Sequence, residues 1–413
     1  MQVFKFGGAS VRHADGIRQV ANIIQLYSKE KLLIVVSAMG KTTNSLEKIL
    51  ENFSTGKNFL HELATLRSYH ESVIHELFGE SGTAWKKVAS EFDAIPNRLK
   101  KEIPKDQLYD QIVSQGEVIS SIILAEYLLS QKLNAELLDA RKFILTDNTF
   151  REGKVDWEKT ERKVAALKSQ LENKIFITQG FIGSCDTLTV TLGREGSDYT
   201  AAIFASCLMA DSVTIWKDVP GVMNADPKRL PDAVVFEELP FREAAEMTYY
   251  GASIIHPKTI KPLANRNIPL FVKNFDDPSL PGTVIHETKI DFLPPLIVFK
   301  DDQCLVSCRV TDYTFIDEQQ LSFIFQALSE FNIKINVMQN SAISFSFCID
   351  YREDKVAKLI DLLAKHFEVY YNTGLTLITI KNYDAASAEK YRKMPGVLLE
   401  QLSRSTLQVL IKN

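Results

Sequence analysis

Leu32 to Val36 is an unbroken apolar run, LLIVV, and runs of the same kind recur at Leu137-Leu138, Ile175-Phe176-Ile177 and Val213-Thr214-Ile215-Trp216. A strand that is apolar on both faces has to be covered on both faces, which is the situation of a parallel sheet between helices. Helical patterns separate these runs. Ile17, Val20, Ala21 and Ile24 fall at i, i+3, i+4 and i+7, one buried stripe. Ile112 to Leu129 reads as a strongly apolar helix, and a polar helical stretch before it breaks near Ile95-Pro96 and Ile103-Pro104. The chain opens on Val3-Phe4-Lys5-Phe6, which stops at Gly7-Gly8; Leu188 to Leu192 alternates apolar residues with Thr and ends at Gly193. Strand and helix signals that alternate over about 290 residues predict an α/β fold with a largely parallel sheet sandwiched by helices.

The pattern changes near Phe292-Leu293-Pro294-Pro295, so a first domain is expected over 1–292 and a second over 296–413. Beyond the prolines come a strand (Leu305 to Val310), a helix (Gln319 to Phe331), two strands (Ile333 to Met338, Ile343 to Ile349), a helix (Lys355 to His366) and a strand (Leu375 to Ile380). That order is the ferredoxin-like βαββαβ arrangement, one complete module over about 303–381. A short helical stretch and a strand at Thr406 to Ile411 remain, too little for a second full copy.

The 413 residues carry 48 basic and 52 acidic side chains, a net charge of −4. That balance gives no footprint for nucleic acid or an anionic membrane surface. No apolar run approaches the roughly 18 residues that span a bilayer. The start, MQVFKFGGAS, has no basic region followed by an apolar stretch, so no secretory signal is expected and the chain reads as cytoplasmic. The five cysteines, Cys185, Cys207, Cys304, Cys308 and Cys348, are odd in number and form no CxxC pair. Reduced thiols fit better than a disulfide framework or a zinc site.

Two apparent motifs fail on spacing. Gly40-Lys41-Thr42 follows a strand, but a Walker A loop needs a glycine five positions earlier, where Val35 stands. His70 and His75 are five apart, which puts them on different faces of a helix. The informative segments are polar turns directly after buried strands, because ligands of open α/β sheets sit at the carboxyl ends of strands. Lys5-Phe6-Gly7-Gly8-Ala9-Ser10 reads as a tight strand-to-helix turn or as a phosphate cradle with Lys5 as its charge. Ser37-Ala38-Met39-Gly40-Lys41-Thr42-Thr43-Asn44 reads as a helix cap or as a set of hydroxyl donors. In Thr191-Leu192-Gly193-Arg194-Glu195-Gly196-Ser197-Asp198, either Ser197 or Asp198 caps a helix, or Arg194 and Asp198 meet the carboxylate and ammonium of an amino acid. Trp216-Lys217-Asp218-Val219-Pro220-Gly221-Val222-Met223-Asn224-Ala225-Asp226-Pro227-Lys228 is a surface turn or a nucleotide-binding loop.

Taken in order and spacing, KFGGAS, SAMGKTTN, TLGREGSDYTAA and WKDVPGVMNADPK resemble the signature segments of aspartate kinase, as do Ser114-Gln115-Gly116-Glu117 and the stretch from Tyr250 to Ile260. The resemblance covers nearly the whole chain. It implies an amino-acid-kinase three-layer αβα sandwich followed by regulatory ACT modules, the second of them reduced. It implies ATP-dependent phosphorylation of the L-aspartate β-carboxylate, the first step towards lysine, threonine and methionine. Lys5, Gly7 and Gly8 would hold the transferred phosphoryl group. Ser37, Thr43, Glu117, Arg194 and Asp198 would line the aspartate site, with Arg194 on the α-carboxylate and Glu117 and Asp198 towards the amino group. Lys217, Asp218, Met223, Lys228, Ser253 and Ile254 fall where the family contacts ATP. Mg²⁺ would be held mainly by the nucleotide phosphates, with no dedicated protein ligand.

Three positions depart from the family. Ala9 replaces a threonine. Ser253 stands where many members have lysine. Glu195 replaces a small or neutral residue, and its side chain is expected to point outward or to pair with Arg or Lys. Competing readings are another amino-acid kinase of the same fold and a catalytically weak amino-acid sensor. A lysine or threonine effector and a homodimer or larger assembly are further expectations. Met338-Gln339-Asn340-Ser341 reads either as a plain hairpin turn or as a set of groups that recognise such an effector.

Overall fold

The computed structural model describes residues 1–27, 31–79, 83–168, 174–252, 255–311 and 314–412. The chain forms two compact units: Met1–Val222 with Val235–Ala245 and Ser253–Lys289, and Met223–Val234 with Glu246–Ala252 and Ile290–Asn413.

In the first unit, β1 (Gln2–Phe6), α1 (Ala14–Leu26) and β2 (Leu32–Val36) are followed by the helices α2 (Thr42–Ser54), α3 (Leu60–Phe78), α4 (Thr83–Arg98), α5 (Lys105–Val113) and α6 (Gln115–Ser130). Then come β3 (Ala135–Leu138), α7 (Trp157–Ala165), β4 (Ile175–Gln179), the hairpin β5 (Ile182–Cys185) and β6 (Leu188–Thr191), α8 (Gly196–Leu208) and β7 (Ser212–Lys217). β8 (Glu238–Pro240), α9 (Phe241–Tyr249), α10 (Pro257–Ala264), β9 (Leu270–Asn274) and β10 (Thr283–His286) follow. The main sheet has the order β3-β4-β2-β1-β7-β9-β10-β8. Every pair from β3 to β9 is parallel, and β10 is antiparallel to β9.

The apolar runs form strands because both faces are covered. All five residues of β2 and of β4 are buried. Phe4, Phe6, Leu32, Ile34, Val36, Ile175 and Ile177 share one core with α1 to α6. Their period of two puts the alternate residues on the other face, where α8 packs on β1, β2 and β7. Lys105–Ser130 is long and apolar enough to cross a membrane by composition, but 89% of its most apolar window is buried, as in a core helix.

β1 lies between β2, which leads to one half of the sheet, and β7, which begins the other. Connections that leave in opposite directions open a crevice at the carboxyl end of such a strand. Trp216 pins the junction. Its ring stacks on Phe6 at 6.1 Å and meets Phe4 edge-on at 5.7 Å.

The second unit holds one six-stranded antiparallel sheet, ordered β12-β13-β11-β14-β16-β15. Its elements are β11 (Leu296–Arg309), α11 (Glu318–Glu330), β12 (Ile335–Asn340), β13 (Ser344–Asp350), α12 (Glu353–Leu363), β14 (Glu368–Lys381), α13 (Ala385–Arg392), β15 (Val397–Leu402) and β16 (Thr406–Lys412). The later half of β11, α11, β12, β13, α12 and the early half of β14 make the βαββαβ motif. The earlier half of β11 is not apparent from the sequence pattern. It is set off by a register break after Lys300 and a left-handed Asp302, φ +51°. Leu296–Lys300 instead pairs with the later half of β14, which pairs with β16. The second half of the sheet thus has four strands and one helix, one strand coming from the start of the region. β15 is a further strand that the sequence pattern does not reveal, since only Thr406 to Ile411 stands out there.

Two segments of the expected 1–292 domain group with the second unit. Asn224 Nδ2 donates to Pro295 O at 3.0 Å, and Ile297 N donates to Asn224 O at 2.8 Å. Arg229 pairs with Asp301, and Lys381 with Glu246. Nothing local marks these attachments, so a boundary read from composition overlooks them.

Replacing Trp216 by Ala is expected to destabilise the first unit by about 3–5 kcal/mol, the range for deleting a buried aromatic side chain. Urea unfolding followed by far-UV circular dichroism measures it, and a loss below about 1 kcal/mol contradicts the packing role.

Candidate active site

Lys5 sits between Phe4 and Phe6 on β1. Since those two point into the aromatic core, Lys5 points to the face covered by α8. There its Nζ lies 2.7 Å from Asp198 Oδ1, with side chains only 11% and 5% exposed. That oxygen has no aligned hydrogen bond, so the contact is an ion pair. Asp198 lies in the first turn of α8, where the helix dipole favours a negative charge.

The turn after β1 touches the turn after β2. Gly40 N donates to Gly8 O at 2.9 Å, and a Cβ on Gly8 would meet Ala38 O at 2.5 Å. Only glycine allows that approach. A Cβ on Gly7 would lie 3.5 Å from Lys5 Nζ. Ser37 is half-buried after β2, and its carbonyl accepts from Ser120 Oγ at 2.7 Å. Thr43 is half-buried in the first turn of α2.

Glu117 enters from the start of α6 and is buried. Ala38 N donates to its Oε1 at 3.3 Å, while Oε2 has no partner. Burial pushes the carboxyl up to about 8, offset only in part by the Ala38 N–H. Desolvation penalises the charged form, so Glu117 holds a proton at neutral pH in this state.

Arg194 is exposed in the turn just before α8. Glu195 is left-handed, φ +52°. Its carboxylate turns to a main-chain N–H and, among the described residues, pairs with no Arg or Lys, contrary to the expectation from sequence. Oε2 accepts from His256 N at 2.8 Å, and His256 caps α10. The departure from the family is therefore committed to a helix entrance, where a carboxylate is favoured by the free N–H groups.

These elements enclose a cavity of about 800 Å³ that brings together Lys5, Gly8, Ser37, Thr43, Glu117, Arg194, Asp198 and Lys217. Asp218, the next residue after Lys217, is exposed and does not line it. Met223 and Lys228 belong to the second unit. Ser253 and Ile254 lie outside the described residues. Tyr109, Arg151, Glu152 and Phe181 also line the cavity, and sequence reasoning misses them. They sit on an ordinary helix and two loops, with no motif to mark them.

The pattern of the amino acid kinase family matches residues 1–274. The lysine-sensitive aspartokinase 3 of Escherichia coli is 31% identical over 368 residues, covering 84% of this chain and 78% of that protein. A bifunctional aspartokinase/homoserine dehydrogenase of Buchnera aphidicola is 30% identical over 393 residues, 91% of this chain; the chain spans about half, 47%, of its length. The crystal structure of E. coli aspartokinase III with aspartate and ADP superposes with a TM-score of 0.84 at 28% identity, covering 100% of this chain and 96% of that one. The chain belongs to the amino acid kinase family and, within it, to the aspartokinases.

Glu117 supplies a pH prediction. Its carboxyl rises from its ordinary value of 4.5 to about 8 on folding. A carboxyl raised in the folded state contributes its stability below the unfolded value and loses it as pH climbs through the folded value. The wild type should therefore lose stability relative to Glu117→Gln between about pH 4.5 and pH 8. Urea midpoints of the two proteins across that range measure it, and parallel curves contradict it.

Proposed function

We propose that the chain transfers the γ-phosphoryl group of ATP to the β-carboxylate of L-aspartate, forming 4-phospho-L-aspartate and ADP. One observation carries the reading: the cavity sets the Lys5–Asp198 pair beside Arg194 and Glu117. A zwitterion with a second carboxylate needs a guanidinium for the α-carboxylate, acidic groups for the ammonium, and a cation where phosphoryl charge develops. The E. coli relative solved with aspartate and ADP supports the same substrates.

In this reading Arg194 grips the α-carboxylate, and Glu117 and Asp198 face the ammonium. Ser37 and Thr43 donate hydroxyls to the amino acid. Lys5 turns from Asp198 to the transferred phosphoryl oxygens, which approach the main chain at Gly7 and Gly8. Lys217, at the end of β7, faces the nucleotide. The attacking carboxylate is ionised at neutral pH, since aspartate side chains titrate near roughly 4. No general base is required, and positioning with charge neutralisation does the work.

Among the described residues, no three His, Cys, Asp or Glu side chains come together closely enough to hold a metal ion. Asp198 is paired with Lys5, Glu195 accepts from His256 N, and burial favours protonated Glu117. A Mg²⁺ ion brought by ATP would keep phosphate and water ligands, as that ion commonly does.

We place the reaction at the head of the aspartate-derived amino-acid routes, with lysine or threonine as effector of ACT modules in the second unit. The lysine complex of the E. coli relative supports lysine. Met338, Gln339 and Asn340 end β12 with exposed side chains, and Ser341 opens the turn to β13. The segment is thus a hairpin that also presents amides at a sheet edge. Edges β12 and β15 would be covered by pairing in a dimer or larger assembly.

Purified protein with Mg-ATP, L-aspartate and hydroxylamine should yield aspartyl hydroxamate. Arg194→Ala should lower kcat/KM for aspartate by roughly thirty-fold or more, the equivalent of a broken desolvated charge contact, with ATP affinity nearly intact. Absence of hydroxamate sinks the aspartate reading, and hydroxamate formed from a different acid would replace it. Millimolar lysine or threonine should change the KM for aspartate or Vmax, through a coupling of typically 1–3 kcal/mol. The double variant Gln339→Ala, Asn340→Ala should lose that response and keep basal activity. Rates indifferent to both amino acids remove the feedback part alone.

A further inference from the structure

Arg151 reaches the same cavity as Arg194 from a loop that no motif marks, and buried groups hold that loop in place. Arg151 is left-handed, φ +70°, a conformation that an ordinary residue rarely adopts. Its main-chain N–H donates to Asp110 Oδ2 at 2.9 Å. Asp110 is fully buried and also accepts from Thr191 N at 2.8 Å and Thr191 Oγ1 at 2.7 Å. Gly153 N donates to Thr191 O at 2.9 Å. One buried carboxylate thus ties the Arg151 loop to the end of β6, whose chain runs on through Leu192 into Gly193-Arg194. The two segments touch: a Cβ on Gly193 would lie 3.2 Å from Arg151 O.

The guanidinium itself is held loosely. It lies 4.1 Å from the centroid of the Tyr109 ring, and Tyr109 is fixed by its O–H donating to Glu47 at 2.7 Å. Its ionic partner, Asp106, is 3.5 Å away and both side chains are exposed. Such a pair is weak, so an incoming carboxylate can take its place. The ring holds the guanidinium by its face, while its edge meets Asp106 and the Tyr109 hydroxyl, contacts that an incoming carboxylate would displace.

We propose that Arg151 is a second guanidinium of the acceptor site, positioned by Asp110, which binds the α-carboxylate of the amino acid together with Arg194. This rests on the aspartate reading above and assigns the loop to the amino acid rather than to the nucleotide. A rigid tether at the main chain and a loosely held side chain suit a group that closes on a carboxylate when it arrives.

Steady-state kinetics of wild type, Arg151→Ala and Arg151→Lys test it, with L-aspartate and with its α-amide, which lacks the α-carboxylate charge. Arg151→Ala should raise the KM for aspartate about tenfold and leave kcat and the KM for ATP within about twofold, as for loss of one charged contact in the bound ground state. Arg151→Lys should recover part of the loss. The α-amide should show little difference between wild type and Arg151→Ala. An unchanged KM for aspartate, an equal loss with both acceptors, or a raised KM for ATP overturns the proposal while the aspartate reading stands. Equilibrium dialysis of L-aspartate with the wild type separates the two levels. Wild-type protein that neither binds nor phosphorylates aspartate overturns both.

Discussion

The Lys5–Asp198 ion pair joins the central strand to the helix that opens the substrate side of the cavity, and the arrangement of the site follows from it. Removing either partner would leave an uncompensated charge in a nearly closed environment, which is strongly destabilising. The pair forms only if β1 lies between β2 and β7, since that order brings α8 over β1. It also forms only if the residues next to Lys5 are large and apolar, because Phe4 and Phe6 use the opposite face of the strand for the aromatic core around Trp216. The strand register, the aromatic cluster and the charge at the cavity floor are three consequences of one alternation.

Around that pair the cavity holds carboxylates in different electrostatic states. Asp198 is balanced by Lys5. Glu117, without a cation at hand, holds its proton because burial disfavours the anion. Glu195 spends its charge on the entrance to α10. Asp110, just behind the wall, is raised by burial against the hydrogen bonds it accepts from Arg151 and Thr191. One functional group, the carboxyl of Asp and Glu, thus serves as counter-ion, proton holder, cap and tether, and its neighbours decide which. In the proposed reaction an ammonium arriving beside Glu117 would favour its ionised form and so couple binding to proton release.

In the second unit the long strands β11 and β14 each serve both halves of one sheet. Where β11 changes register, a polar group stands in place of apolar packing. Lys300 Nζ meets Asp350 Oδ1 at 2.7 Å and Asn336 Oδ1 at 2.9 Å, and Asn336 Nδ2 donates to Gln303 Oε1 at 2.7 Å. These bonds pair the polar side chains at the break with one another. Each half has its own apolar core under its helices, one under α11 and α12 and one under α13, and a third cluster from Val337 and Cys348 to Leu399 and Leu410 spans both.

Much of this is legible in the chain because it depends on near neighbours. The LLIVV run, the stripe at Ile17 to Ile24 and the βαββαβ order are periodicities of two and 3.6, visible within a few residues. The polar turns after β1, β2 and β6 and the lysine at the end of β7 advertise a site because small or flexible residues there follow directly on apolar strands. What the sequence leaves undecided depends on partners distant in the chain. Nothing near Glu195 announces His256 N, nothing near Arg151 announces Asp110, and nothing in Leu296–Lys300 announces its place beside β14. Proton affinity is of the same kind: Glu117 differs from any other glutamate only in the water it lacks. The elements and the chemical inventory were set by the sequence; the pairing, desolvation and aim of the charges were set by tertiary structure, because those energies depend on which groups meet and how far water is excluded.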